Sequence, residues 1–490
     1  MINKFIKKEI WGLSKANQPP PAGALRAGWL NRSAIVLGKM LIGATRLLKQ
    51  GGTTLPGRAA LKISPQLTSY LAGQLPAGTI VITGTNGKTT TAALLAAVFK
   101  QDGWRCVHNE AGSNLDWGIA STLIEASTWK AELPAEIAVL EIDEGAFPAM
   151  SVSLQPRAAV VTNIFRDQLD RFGGVEQVQS AIQRGVQALP PEALVFLNAD
   201  DPLVAAIDGG SRETFYYGLE LPPSAISGLS PAEKPEVACP RCRRELLYTH
   251  IYFAHLGRYR CPSCGFHRPE PIFKLRQLEL SSEEGTAIKM SLRGSPLRAT
   301  LPLPGIYNLY NALAAAAAAS AFGLSGAAVQ EALGNAAPPS GRMERRRIAS
   351  RELLIALIKN PAGANQVLQT LLQEKQERQI HLLIAINDHP ADGTDISWLW
   401  ETDFEQLAAA RAQIGSITIS GTRAPETARR LEEAGLSPDR MTVEPALPRA
   451  LRQALLSTAP GEKLIVLPNY TAMRQLQRNL DRIMAEPSSQ

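Results

Sequence analysis

The segment Gly84-Thr85-Asn86-Gly87-Lys88-Thr89-Thr90 holds the densest chemistry in this sequence. It follows a strand-like run, Thr79–Thr83, and opens a predicted helix, Thr89–Lys100. Its glycines let the backbone turn tightly, so that N–H groups can face phosphate oxygens. The helix N-terminus and the Lys88 ammonium add positive charge, and Thr89 offers a hydroxyl to Mg²⁺. The general phosphate loop has four residues between its glycines, whereas this one has two, so the strand–loop–helix context carries the assignment. Glu141-Ile142-Asp143-Glu144 ends another predicted strand. Carboxylates there are natural Mg²⁺ ligands, because hard cations take oxygen; a solvated acidic turn would have the same composition. Asn163–Asp170 follows the next strand and places more polar groups on the same sheet edge.

Cys239-Pro-Arg-Cys242 and Cys261-Pro-Ser-Cys264 form two CxxC pairs. Each fits a tight turn that aims two thiolates at one tetrahedral ion, which implies a structural Zn²⁺ with no open position for water and hence no catalysis. Arg241, Arg243, Arg244, Arg258, Arg260 and Arg268 surround the pairs. They suit either nucleic-acid binding or the solubilising of a module too small to have much core. His250, His255 and His267 read as surface or packing residues. Asn387-Asp388, Asp392-Gly393-Thr394-Asp395 and Ser397-Trp398-Leu399-Trp400 follow a late strand. Three aspartates beside exposed-looking tryptophans suggest a functional loop or partner surface; a helix cap with loop turns is the plainer alternative. Cys106 and His108 alternate on a strand-like stretch and share a face, but no tight turn exposes the sulfur as a nucleophile would need.

These groups must be positioned by a chain of 490 residues, long enough for about three domains. The hydrophobic set is 45% and charged residues 20%, a globular composition. A formal net charge of +6 is small for the length; it permits an anionic ligand or membrane surface without indicating a nucleic-acid binder. The odd count of 5 cysteines argues against a disulfide-rich secreted protein. No apolar run is long enough to span a bilayer, and the expected location is cytoplasmic. Met1–Trp11 mixes Lys4, Lys7 and Lys8 with Ile2, Phe5, Ile6, Ile10 and Trp11, and reads as a basic tail or a membrane-surface helix.

Residues 1–52 form an N-terminal tail and a helical stretch near Ser33–Leu48. Residues 53–340 form the central domain. Its strand candidates, Thr79–Thr83, Ile137–Ile142, Ala158–Asn163 and Ala193–Asn198, alternate with helices such as Val175–Ala188, which implies a parallel sheet covered by helices. Residues 236–271 interrupt it as an inserted small module. The alanine-rich stretch Asn308–Phe322 reads as a closely packed helix. Residues 341–490 form a second, smaller α/β domain of the doubly wound kind. Its strand candidates are Leu353–Ile358, His381–Asn387, Ser416–Ser420 and Leu464–Leu467, and its helices include Ala364–Gln376, Glu426–Glu433 and Pro448–Leu456.

Thr-Gly-Thr-Asn-Gly-Lys-Thr-Thr at Thr83–Thr90 resembles the ATP loop of the Mur ligases, which activate a carboxylate as an acyl phosphate that an amine then attacks. Glu141 falls where that family has a Mg²⁺-binding glutamate. Gly305-Ile-Tyr-Asn308-Leu-Tyr-Asn311 resembles its asparagines at the nucleotide site, and Gly341-Arg342 its arginine at the entry to the last domain. Within this fold family the four-cysteine insert, Arg166–Arg171, Lys359–Asn365 and Ala391–Trp398 are similar to the lipid II isoglutaminyl synthases. The resemblance implies a Mur-ligase-like central P-loop ATPase domain with an inserted zinc ribbon, and a Rossmann-like C-terminal domain. It implies ATP and Mg²⁺ as cofactors, with Gly84, Thr85, Asn86, Gly87, Lys88, Thr89, Thr90, Asn308, Asn311 and Arg342 at the nucleotide. Thr89 and Glu141 would serve Mg²⁺, and Lys88 the phosphates.

The implied reaction is amidation of the D-glutamate α-carboxylate of lipid II at the inner membrane face, in peptidoglycan synthesis. Ammonia would come from a GatD-type glutaminase whose triad is completed by Asp395, Asp392 or Asp388, in that order. Three departures from ordinary Mur ligases stand out. Gln168 occupies a region where many have a metal-binding histidine. Val175–Pro191 lacks the lysine that several carry as a carbamate. Ala356-Leu-Ile-Lys359 replaces an Asp-Tyr-Ala-His that serves the incoming amino acid, which suits ammonia instead. An amino-acid-adding Mur- or folate-type ligase is the alternative in the same chemistry, and a zinc-ribbon nucleic-acid-binding ATPase is the alternative outside it.

Overall fold

The run Thr79–Thr83 is β-branched throughout, and a strand with no polar alternation suits burial on both faces. A computed structural model describes residues 28–47, 54–110, 113–166, 174–222, 237–281, 285–339, 341–348, 350–373 and 379–485. In it this run is strand β1 (Thr79–Thr83), buried at all five positions. Met1–Trp11, and Asp167–Arg171 with Gln168, lie outside the described residues.

The strands β2 (Cys106–His108), β3 (Ile137–Glu141), β4 (Ala158–Val161), β5 (Leu194–Asn198) and β6 (Thr214–Leu219) complete a parallel array around β1. The chain then leaves the sheet as a separate hairpin, β7 (Leu247–Phe253) and β8 (Leu256–Arg260). It returns as β9 (Phe273–Ser281), β10 (Gly285–Leu292) and β11 (Ser295–Leu301). The sheet order is β11-β10-β9-β6-β5-β4-β1-β3-β2, with β9 parallel to β6 and the last three strands mutually antiparallel. This antiparallel extension has no counterpart in the sequence-based reading. Its signal is weaker, because along β10 buried and half-buried positions alternate instead of forming an apolar run.

The second sheet contains β12 (Arg342–Ile348), β13 (Arg351–Ala356), β14 (Ile380–Ala385), β15 (Ile414–Ser420), β16 (Met441–Val443) and β17 (Lys463–Pro468), in the order β12-β13-β17-β14-β15-β16. All pairings are parallel except β12 with β13. The four expected apolar strands are β13, β14, β15 and β17, with bounds shifted by one or two residues. The helix expected from Ala364 begins at Pro361, since proline's missing N–H costs nothing in a first helical turn.

The alanine-rich helix Ile306–Ala321 buries every residue from Ala312 to Ala319 in the core of the central sheet. Small side chains let its backbone approach the helix Lys88–Gln101 that follows the phosphate loop. The helix Trp29–Leu47 seats Ala34 and Ile35 in the core on the other face of the same sheet. Parallel topology sends loops out at the carboxyl ends of strands, where doubly wound sheets hold ligands. The loops after β1, β3 and β4 face those after β13, β14 and β17 across a cleft of about 960 Å³.

Candidate active site

The phosphate loop depends on two glycines. Gly84 has φ +118° and Gly87 has φ +85°. A Cβ on Gly84 would lie 2.4 Å from Thr162 Oγ1, and one on Gly87 would lie 2.2 Å from Asn311 Oδ1. Only glycine fits both the backbone conformation and the space. Asn311 thus sits against the loop; it also accepts from Thr91 Oγ1 at 3.3 Å and donates to Asn308 Oδ1 at 3.1 Å. Asn308 is tied in turn to Pro304 O at 2.7 Å. The asparagines singled out in the sequence therefore join the loop in one hydrogen-bonded cluster.

Lys88 is buried, with Nζ 3.0 Å from Glu144 Oε1 and donating to Gly84 O at 2.5 Å and Thr85 O at 3.2 Å. Burial disfavours the ammonium, but Glu144, Glu141 and Asp143 outweigh it and hold the Lys88 pKa above its ordinary value. Thr89 Oγ1 donates to Glu141 Oε2 at 2.5 Å, and Asn114 Nδ2 donates to the other carboxylate oxygen at 3.2 Å. Asn109 brackets the Glu141 backbone, accepting from its N–H and donating to its C=O, both at 2.9 Å. A hydroxyl and a carboxylate this close, on a cleft wall beside a phosphate-type loop, are oxygen ligands of the kind Mg²⁺ takes.

Arg342 lines the same cleft from the start of the last domain. Burial pulls its pKa below the usual guanidinium value. Among the described residues its side chain makes no hydrogen bond or ion pair. A charged guanidinium left in that state is a seat for an anion. The two domains also meet directly. Asn86 and Asn360 exchange amide hydrogen bonds at 3.0 and 3.4 Å, while Asn163 and Thr162 hold the Asn86 backbone. The pairing of Asn86 with Asn360 and the buried Lys88–Glu144 ion pair had no signal in the sequence, since each joins residues far apart in the chain.

The four cysteine sulfurs lie within 4.8 Å of one another, with Cys239–Cys264 at 3.6 Å and Cys242–Cys261 at 3.4 Å. Zinc bound at about 2.3 Å to four sulfurs sets their spacing near 3.8 Å, so the donor set and its size fit the ion. Cys239 and Cys261 share a small core with Leu246, Tyr259 and Phe266. The module is anchored by Arg268, 2.5 Å from Asp200 and 2.9 Å from Glu220. The buried Tyr310 hydroxyl donates to Asp200 at 2.8 Å. Arg243 pairs with Glu176, Arg258 pairs with Glu220, and Arg241 lies over the Phe266 ring. Four of the six arginines of a nucleic-acid reading are thus engaged within the chain. Protein purified without chelator is expected to carry one zinc per chain. Cys261→Ser is expected to lose it and lower Tm by about 5 °C or more, at roughly 2–4 °C per kcal/mol for domains of this size. Metal analysis with calorimetry checks both.

The aspartate loop leaves β14 and lines the cleft at Asp392 and Gly393. Asp392 accepts from Thr471 N at 2.8 Å and Thr471 Oγ1 at 2.5 Å; burial nonetheless pushes its pKa up. Asp388 accepts from Thr422 Oγ1 at 2.7 Å and pairs with Arg423 at 2.8 Å, and both hold its carboxyl below the usual range. Among the described residues Asp395 accepts only local bonds, from Ser397 N at 2.8 Å and Ser397 Oγ at 3.0 Å. The expectation of two exposed tryptophans holds for one. Trp398 packs against the core of the last domain, whereas Trp400 is 42% exposed and donates to Glu433 at 2.8 Å. Cys106 lies on edge strand β2, and burial pushes its thiol up to about 12, so it is protonated and unreactive near neutral pH.

Comparison with known proteins adds the family. Residues 82–224 match the Mur ligase middle domain and residues 357–473 the MurT ligase C-terminal domain. Over 92% of its length the chain is 33% identical to the MurT subunit of the glutamine-hydrolyzing lipid II isoglutaminyl synthase of Staphylococcus aureus (strain COL), covering 98% of that protein. The chain belongs to the MurT family of Mur-ligase-like proteins. Its fold is that of the Mur ligases. A pseudomurein peptide ligase type C from Methanothermus fervidus superposes with a TM-score of 0.62 at 24% identity, over 84% of this chain and 79% of that one. MurF ligase from Thermotoga maritima, solved in complex with ADP, gives 0.61 at 15% identity over 87% and 84%. Among the described residues no helix is long and apolar enough to cross a membrane.

Proposed function

We propose that this chain is the ATP-dependent synthetase subunit of a lipid II isoglutaminyl synthase. It would convert the D-glutamate α-carboxylate of lipid II to the amide of D-isoglutamine. The observation that carries this reading is the convergence of Lys88, the Thr89–Glu141 pair and Arg342 on one interdomain cleft, in a chain related along nearly its whole length to such subunits. The loop amides and Lys88 would hold the β- and γ-phosphates, with Asn308 and Asn311 toward the nucleoside. Thr89 and Glu141 would hold Mg²⁺, which supplies charge neutralisation as the phosphoryl group moves. A carboxylate oxygen of the substrate attacks the γ-phosphorus and ADP leaves. The ammonia lone pair then attacks the acyl carbon of the acyl phosphate, inorganic phosphate leaves, and nitrogen sheds a proton. Arg342 would offset charge on the transferred group.

Ammonia as the nucleophile is supported by what lies before Asn360. Where amino-acid-adding relatives are expected to carry an aspartate and a histidine, this chain has buried Ala356 and the alkyl-ammonium Lys359. The half-buried Cys106, its thiol pushed up to about 12, supports a separate source of that ammonia, a glutaminase subunit of the GatD kind. The four-cysteine cluster would hold one structural Zn²⁺. The test incubates the protein with lipid II, MgATP and ammonium, or with glutamine and the glutaminase, and weighs the product. Loss of one mass unit is expected. A gain of an amino-acid residue would establish an amino-acid-adding ligase instead, and ATP turnover stimulated only by DNA or RNA would reject both.

A further inference from the structure

The ribbon hairpin does not end in solvent. Its turn, Phe253-Ala254-His255-Leu256, reaches the cleft, and Phe253 and Leu256 line the wall that also contains the phosphate loop. Three contacts fix this arrangement. The Phe253 ring lies 5.6 Å from that of Phe165, and the His255 ring lies 4.7 Å from it on an edge. His255 Nε2 is 3.3 Å from Asp201 Oδ1, while Asp201 Oδ2 accepts from Ile164 N at 2.8 Å. Phe165 is in turn bound to the phosphate loop: its N–H donates to Thr85 Oγ1 at 3.0 Å, and Thr85 Oγ1 donates to Phe165 O at 3.3 Å. The far end of the hairpin carries the cysteines and is anchored through Arg268, Asp200 and Tyr310 to the helix that presents Asn308 and Asn311.

Resting on the reading of the cleft as an ATP site, we propose that Phe253 is a positioning residue for it. With His255 it clamps Phe165, and the paired bonds between Phe165 and Thr85 then hold the phosphate loop in its binding conformation. The metal-bearing module is on this account part of the nucleotide site and not an appendage. A packed aromatic contact transmits such a restraint because close-packed groups have few alternative arrangements. A loop left free to sample other conformations binds more weakly by the fraction of time it is competent.

The experiment uses the full chain with its zinc in place. Mg²⁺ and a non-hydrolysable ATP analogue are titrated calorimetrically into the wild type, Phe253→Ala, Phe253→Tyr and, as a control on an exposed strand position of the same hairpin, Thr249→Ala. Phe253→Ala is expected to raise Kd and the KM for ATP about ten-fold with kcat within about two-fold, and to keep one zinc per chain. Phe253→Tyr is expected to restore binding, and Thr249→Ala to leave it unchanged. Hydrogen exchange in Phe253→Ala should speed up in peptides covering residues 84–88 and 163–166 without nucleotide present. Unchanged Kd and unchanged exchange in Phe253→Ala would overturn the proposal while leaving the ATP reading intact. A wild-type protein that binds no nucleotide would overturn both. Should Phe253→Ala lose its zinc or its fold, Phe253→Leu replaces it, and failure of that variant to raise Kd or exchange would be equally decisive.

Discussion

Glu141→Gln is expected to lower amidation by about 10²–10³-fold with either nitrogen source, a loss of roughly 3–4 kcal/mol of transition-state stabilisation. The change is conservative in shape. Glutamine can still accept the Thr89 hydroxyl with its carbonyl oxygen, and the backbone bonds to Asn109 do not involve the side chain. What disappears is the negative charge with which the proposed Thr89–Glu141 site would hold Mg²⁺, so Tm should move little while turnover collapses. Lys88→Met is a harsher companion. Lys88 sits 3.0 Å from the buried Glu144, and removing one partner of such a pair costs about 3–5 kcal/mol of stability by leaving the other uncompensated. Its activity loss must therefore be measured on protein shown to be folded. Steady-state amidation with ammonium, read beside calorimetric Tm, separates the two variants. Activity of Glu141→Gln within a few-fold of wild type would remove Glu141 from the mechanism.

The sequence exposes best the features whose cause is local. The strand–loop–helix turn at Gly84–Thr90 was legible because its glycines and its neighbours in the chain shape it together. The four-cysteine cluster was legible because two short turns carry all four sulfurs. Fully buried parallel strands, such as β1 and β4, announce themselves as runs of β-branched or small apolar residues without polar alternation. The strands β9, β10 and β11 do not, since polar and half-buried positions alternate with buried ones along them. What joins distant segments was invisible: Asn86 with Asn360, Lys88 with Glu144, and Phe165 between the hairpin tip and Thr85. No spacing rule ties residue 165 to residue 253. Trp398 misled for a related reason, because an aromatic beside aspartates looks exposed until the core it enters is known.

Asp395→Asn is expected to abolish most glutamine-driven amidation and to leave ammonium-driven amidation nearly intact. The proposed partner is a glutaminase with its own nucleophilic cysteine and histidine. A carboxylate from this chain would orient that histidine, fix its tautomer and stabilise the imidazolium. Replacing an orienting aspartate by asparagine can cost orders of magnitude, of about 10⁴-fold in the best-studied triad. The structure gives reasons for testing Asp395 first. Asp388 is neutralised by Arg423 and capped by Thr422, so its charge is already spent on a neighbour. Asp392 gives both oxygens to Thr471 at the start of the helix Tyr470–Ala485, which marks it as holding that helix against the cleft. Among the described residues Asp395 binds only Ser397, two residues on, and no cation. A carboxylate braced by its own turn is preorganised to accept an imidazole N–H. Asp392→Asn should then cost both nitrogen sources modestly by loosening the cleft wall, and Asp388→Asn should cost little. Each variant is assayed with glutamine and with ammonium, after size-exclusion chromatography has shown that the complex still forms. Equal rates from the two nitrogen sources in all three variants would mean that the carboxylate serving the histidine comes from the glutaminase itself.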